Sequence, residues 1–70
     1  MVTIEEIQIN LREAIKNSAL TQKEIAEKLQ VHPTAVNKYM HDDVYPSLET
    51  FAKLCEILDV SSDDILGLKQ

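Results

Sequence analysis

Residues 21–40, TQKEIAEKLQVHPTAVNKYM, constrain the fold more than any other stretch of the chain. Thr21-Gln22-Lys23-Glu24 has the spacing of a capping box. The threonine hydroxyl can accept from the backbone N–H three residues on, and the glutamate can reach back to the threonine N–H. Leu20 before the cap and Ile25 after it make a hydrophobic staple. Ile25, Ala26 and Leu29 then follow on one face at helical spacing. Pro33 cannot continue that helix, because it has no N–H to donate, but its fixed φ suits the first turn of a new one. It also pushes His32 out of the helical region, so the break falls at 30–32. Val36, Tyr39 and Met40 share one face of the second helix, while Thr34, Asn37, Lys38 and His41 point elsewhere. Two helices joined by so short a turn cross at roughly 90–120°. Small Ala26 sits where the backbones approach, and Ile25, Leu29, Val31, Val36 and Tyr39 make the shared inner surface.

This pattern resembles the helix-turn-helix of the lambda-repressor-like family, the Cro/CI or XRE type. The matching residues are Gln22, Ile25, Ala26, Leu29, Val31, Val36 and Tyr39. The resemblance continues through Leu48–Ser61, LETFAKLCEILDVS, which looks like the family's fourth helix and its exit, and through Asp64-Ile65-Leu66-Gly67, which looks like its terminal helix. Two positions depart from the family. Gln30 stands where the family has glycine in the turn, and a left-handed glutamine costs on the order of 1 kcal/mol. The loop after the second helix reads His41-Asp42-Asp43, where the family is basic or glycine-rich.

The rest of the chain supplies three further helices. Thr3-x-x-Glu6 opens the first, over about 3–17, with the stripe Ile4, Ile7, Leu11, Ala14 and Ile15 facing inward. Ile9 lies on the opposite face, either as an isolated exposed residue or as a partner contact. Helices 2 and 3 run over about 21–29 and 33–40. Ser47 caps helix 4, about 47–58, with Leu48, Phe51, Ala52, Cys55 and Leu58 inward, and Leu54 and Ile57 widening the apolar surface. That width makes helix 4 the expected centre of the fold. Ser61-x-x-Asp64 starts helix 5, about 61–67. The expectation is an all-α, five-helix lambda-repressor-like domain over residues 1–70, with no competing strand periodicity.

Charge and composition narrow the function. The chain of 70 residues carries a net charge of −5, which argues against a nonspecific nucleic-acid coat. The excess acid lies mostly in residues 47–70, with five acidic and two basic side chains. Residues 21–46 are nearly balanced, with Lys23, Lys28 and Lys38 against four acids. No apolar run approaches the ~18 residues of a membrane helix, and no signal peptide is evident. A cytoplasmic protein follows. Cys55, the one cysteine, falls in an apolar helix and reads as a buried free thiol. His32 and His41 have no companions at ligand spacing, so no metal site is expected. No nucleophile–base arrangement or glycine-rich loop suggests an enzyme, a cofactor or a small-molecule ligand.

The family resemblance implies a transcriptional regulator that binds a double-stranded DNA operator. In that geometry the second helix of the pair enters the major groove with its N-terminal residues nearest the bases. Thr34, Asn37 and Lys38 are then the reading residues with Pro33 at the helix tip, and Gln22, assisted by Lys23, approaches a phosphate at the start of helix 2. The plainer alternative is that these are solvated polar side chains. Asp42 and Asp43 either stop the helix or repel phosphate. Two half-sites about 34–36 Å apart call for a homodimer. The resemblance places its contact at helices 4 and 5, where Ile57, Val60, Leu66 and Leu68 are surplus apolar residues, unless they belong to the core. A protein-interaction module, or an antitoxin-like partner protein on the same fold, is the alternative function; the net charge and Asp42-Asp43 favour it.

Overall fold

Why each helix starts where it does is visible at its first turn. The computed structural model describes residues 2–68 and contains α1 (Ile4–Asn17), α2 (Gln22–Leu29), α3 (Pro33–His41), α4 (Leu48–Leu58) and α5 (Ser62–Leu66). The protein is all-helical, with no strand among the described residues. Each helix is capped by a side chain that accepts from a backbone N–H in its first turn: Thr3 from Glu6, Thr21 from Glu24, His32 from Thr34, Ser47 from Thr50 and Ser61 from Asp63. A cap of this kind is worth about 1 kcal/mol. The reciprocal box closes at Thr21, whose N–H donates to Glu24 Oε1 at 3.0 Å. At Thr3 the hydroxyl half forms, at 3.2 Å. At Ser61 the hydroxyl accepts from the Asp63 N–H at 3.2 Å, two residues on.

Three of the five helix ends, those of α2, α4 and α5, follow a second rule, while α1 and α3 end in extended backbone at Ser18 and Asp42. Gln30, Asp59 and Gly67 all take the left-handed conformation, with φ of 60°, 54° and 75°. Just beyond each, an apolar residue donates its N–H back over the last turn: Val31 to Ala26, Val60 to Cys55, Leu68 to Asp63, at 3.0–3.1 Å. This closes otherwise unpaired carbonyls at the helix end. Only one of the three left-handed residues is glycine.

The core is built from Leu11 and Ile15 of α1, Ile25, Ala26 and Leu29 of α2, Val36 of α3, Leu54 and Cys55 of α4 and Ile65 of α5. Here α2 packs on both α3 and α4, while α1 packs on α5 and α3. The centre is therefore α2, whose Ile25 and Ala26 are fully enclosed, and not α4. Of the eleven residues of α4 only Leu54 and Cys55 are buried. Burial pushes the Cys55 thiol up from its ordinary range, away from the reactive thiolate. Two expected inward residues of α4 face out: Leu48 is 84% exposed and Ala52 is exposed. Ile4 of α1, expected in the inner stripe, is 48% exposed. The apolar stripes of both helices are wider than the core they meet, so one edge of each remains outside. No described helix is long and apolar enough to cross a membrane.

Candidate nucleic-acid interface

The α2–α3 pair is held rigid from both sides of its turn. Gln30 reverses the chain in the left-handed region, and its N–H donates to Glu27 O at 3.1 Å. Val31 is half-buried against the core and locks the turn through its bond to Ala26 O at 3.0 Å. His32 then caps α3: its Nδ1 accepts from Thr34 N–H at 3.1 Å, and its carbonyl accepts from Ala35 N–H at 2.9 Å. Pro33 takes the first helical position, where its missing N–H costs nothing. Behind the turn, Ala26 is enclosed with no exposed surface, which lets α3 lie close against α2. Val36 and Tyr39 fix the inner face of α3, and Met40 packs beside them.

That packing decides what faces out. Pro33, Thr34, Asn37 and Lys38 are all exposed on α3. Thr34, Asn37 and Lys38 present a hydroxyl, an amide and an ammonium along one helix, a set able to meet base edges by donating and accepting. Lys23 is exposed at the first turn of α2, and Gln22, its first residue, is half-buried. Neither Lys23 nor Lys38 takes part in an ion pair among the described residues, where the single pair is Lys53–Glu49 at 3.3 Å on α4. The ammonium groups of Lys23 on α2 and Lys38 on α3 are thus free for another anion. The Glu24 carboxyl is held below the ordinary range by the Thr21 backbone N–H, then by the Thr21 hydroxyl, with the Lys28 charge acting the same way. Its charge is committed to the cap and stands at the start of α2. Asp42 and Asp43 follow α3 directly; both are exposed and neither has an ion-pair partner among the described residues.

Two polar residues of α1 that carry no motif bond to the end of α3. Gln8 Nε2 donates to Asp42 O at 3.0 Å, while Arg12 donates to Tyr39 O through Nε and to Asp42 O through Nη2, both at 3.2 Å. Asn10, on another side of α1, donates to Ile65 O of α5 at 3.1 Å. The single advance signal was Gln8 itself, a polar residue spaced with Leu11 and Ile15 on the inward side of α1.

The four dimer candidates fall into two groups. Ile57 and Val60 are half-buried and packed against the core. Leu66 is half-buried, and Leu68, after α5, is 58% exposed. Between α4 and α5 runs an open, mainly apolar groove of about 490 Å³, lined by Leu48, Phe51, Ala52, Cys55, Val60 and Leu66 together with Glu56, Asp59 and Ser62.

Comparison with known proteins places this arrangement. A helix-turn-helix family model matches residues 11–65. The HTH-type transcriptional regulator ImmR of Bacillus subtilis strain 168 is 39% identical over 57 residues, which are 81% of this chain and 45% of that protein. The chain thus spans less than half the length of that relative. Among solved structures, the SOS-response transcriptional repressor LexA from Eubacterium rectale superposes with a TM-score of 0.76 at 25% identity, over 94% of this chain and 73% of the other. The clp gene regulator ClgR from C. glutamicum gives the same TM-score and identity over 94% of this chain and 87% of its own. The matched residues span the capped turn, the enclosed Ala26 and the outward face of α3 together, and the chain belongs to the non-enzymatic helix-turn-helix family of the lambda-repressor-like (XRE) type.

Proposed function

We propose that this chain is a sequence-specific, double-stranded DNA-binding transcriptional regulator of the repressor type that reads the major groove with α3. The observation that carries the reading is the split of α3 into two faces. Val36 and Tyr39 are buried against the core, while Thr34, Asn37 and Lys38 stand exposed, as does Lys23 of α2, which has no ion pair among the described residues. ImmR, LexA and ClgR, each called a regulator or repressor, support it. In this reading Thr34, Asn37 and Lys38 meet base edges, Pro33 stands at the helix tip, and Gln22 and Lys23 hold a phosphate at the positive end of α2. Regulation of this kind belongs in the cytoplasm.

The same reading calls for a homodimer. The longest extent of the domain is 33 Å, so one copy covers one half-site, and the next lies about 34–36 Å along the duplex. The two-fold contact is proposed at the α4–α5 face, with Leu66 and Leu68 in it and with Leu48 beside the groove. Ile57 and Val60 contribute through what they leave exposed.

Salt dependence tests the DNA reading. Few cations reach the duplex, so log K should fall with log[salt] with a slope of only about −2 to −4, near −0.9 per phosphate neutralised. Lys38→Ala should relax base preference and weaken the best site by about 1–3 kcal/mol. A variant with unchanged affinity and preference removes Lys38 from the reading set.

A further inference from the structure

We infer that Gln8 and Arg12 of α1 are positioning residues for α3, holding its C-terminal end and so setting the angle at which Thr34, Asn37 and Lys38 are presented. The inference rests on the DNA reading above for what α3 does. The clamp itself is a matter of bond geometry.

The end of α3 is built unlike those of α2, α4 and α5. Those three finish in a left-handed residue that folds the chain back over the last turn. At α3 the cap is Asp42 in extended backbone, φ −111° and ψ 167°. The Asp42 N–H satisfies Lys38 O at 2.8 Å, and no following residue folds back over the turn. Donors arrive from α1 instead. Arg12 gives Nε to Tyr39 O and Nη2 to Asp42 O, and Gln8 gives its amide to the same Asp42 O. Three bonds from residues 27 to 34 positions away replace the local motif. A guanidinium at the negative end of a helix is also favoured by the helix dipole. The fork geometry of arginine lets one side chain serve two carbonyls, which a lysine ammonium does not reproduce.

The base of the clamp is fixed. Gln8 is 8% exposed, the one buried polar residue among those described. Leu11 and Ile15 anchor α1 in the core, and Asn10 ties it to α5. The other end of α3 is set by the Gln30 turn. The reading residues therefore lie between two anchors of different origin. Base contacts tolerate displacements of about 0.5 Å, so a loosened C-terminal anchor costs discrimination before it costs folding.

The test compares wild type with Gln8→Met, which keeps the volume and removes the amide, and with Arg12→Lys, which keeps the charge and loses the fork. Gln8→Met could lose the fold along with the clamp, and half-exposed Arg12 carries the same test at less risk to the core. A preferred duplex is first selected with wild type. Two readouts follow, each corrected for the folded fraction: the ratio of specific to nonspecific affinity, and hydrogen exchange of the Asp42 amide without DNA. We expect the ratio to fall about tenfold, the share of one well-placed base contact. The Asp42 amide should exchange several times faster, with Ile25 and Leu54 unchanged. Exchange at Asp42 that does not respond overturns the clamp. Faster exchange with an unchanged ratio overturns the positioning role, leaving Gln8 and Arg12 as stabilising residues only. A wild type indifferent to sequence overturns the DNA reading and this inference together, and is told apart because the unmutated protein already fails.

Discussion

Val31 donates its N–H to the carbonyl of Ala26 at 3.0 Å, closing the turn between α2 and α3 over a left-handed Gln30. This bond forces Gln30 into a region where a side chain costs on the order of 1 kcal/mol. Gln30→Gly should remove that strain with no loss of packing, because Gln30 is exposed. We predict a melting temperature a few degrees higher, since about 1 kcal/mol moves a domain of this size by about 4–8 °C and the added freedom of glycine in the unfolded chain offsets part of it. Thermal unfolding by circular dichroism measures it. A lower melting temperature would mean that the glutamine side chain supports the turn.

The capping box at Thr21 predicts a pH effect of definite sign. The Glu24 pKa is lowered in the folded protein, first by the Thr21 backbone N–H. Its contribution is therefore complete above the unfolded carboxyl pKa, about 4.3, and is lost as pH falls through the lowered folded value. Glu24→Gln should lower the melting temperature at pH 7, and the gap to wild type should close in that acid window. A gap that persists with Glu24 fully protonated would show that the charge contributes nothing.

Leu48 tests the proposed dimer face. At 84% exposure it touches little of its own chain, so Leu48→Glu should change monomer stability by no more than about 0.5 kcal/mol. Sedimentation should nevertheless show the variant remaining monomeric where wild type associates, because a third carboxylate, added to Glu56 and Asp59 at the groove, opposes two-fold contact. Identical sedimentation of the two proteins would move the dimer elsewhere.

How much of this was legible in the sequence depends on where the controlling partner lies. Caps, proline and the staple are local, so the starts of all five helices could be found from Thr3, Thr21, Pro33, Ser47 and Ser61. The Gln30 turn was legible because Pro33 forces a break within three residues of it. The left-handed Asp59 was missed, although Leu58-Asp59-Val60 repeats the apolar–polar–apolar exit of Leu29-Gln30-Val31. Helix 4 was misread for a different reason. Its apolar residues wrap far enough round that two stripes fit, and periodicity does not say which one meets the core. Leu54 and Cys55 do, and Leu48 and Ala52 do not. Gln8 and Arg12 were invisible as α3 contacts because they bind backbone carbonyls some thirty positions away, and a carbonyl has no sequence signature. The outward placement of Thr34, Asn37 and Lys38 followed from the spacing of Val36 and Tyr39; what they touch does not follow from spacing.

The central claim is that α3 reads duplex sequence, and the most direct test is selection from a random duplex pool at about 50 mM salt, with Lys38→Ala run beside wild type. The account predicts a two-fold symmetric site, with half-sites about one helical turn apart, enriched by wild type and degraded at defined positions in the variant. Selection of no sequence by wild type at this low salt would contradict it, and would mean that the net charge of −5 outweighs the α3 face.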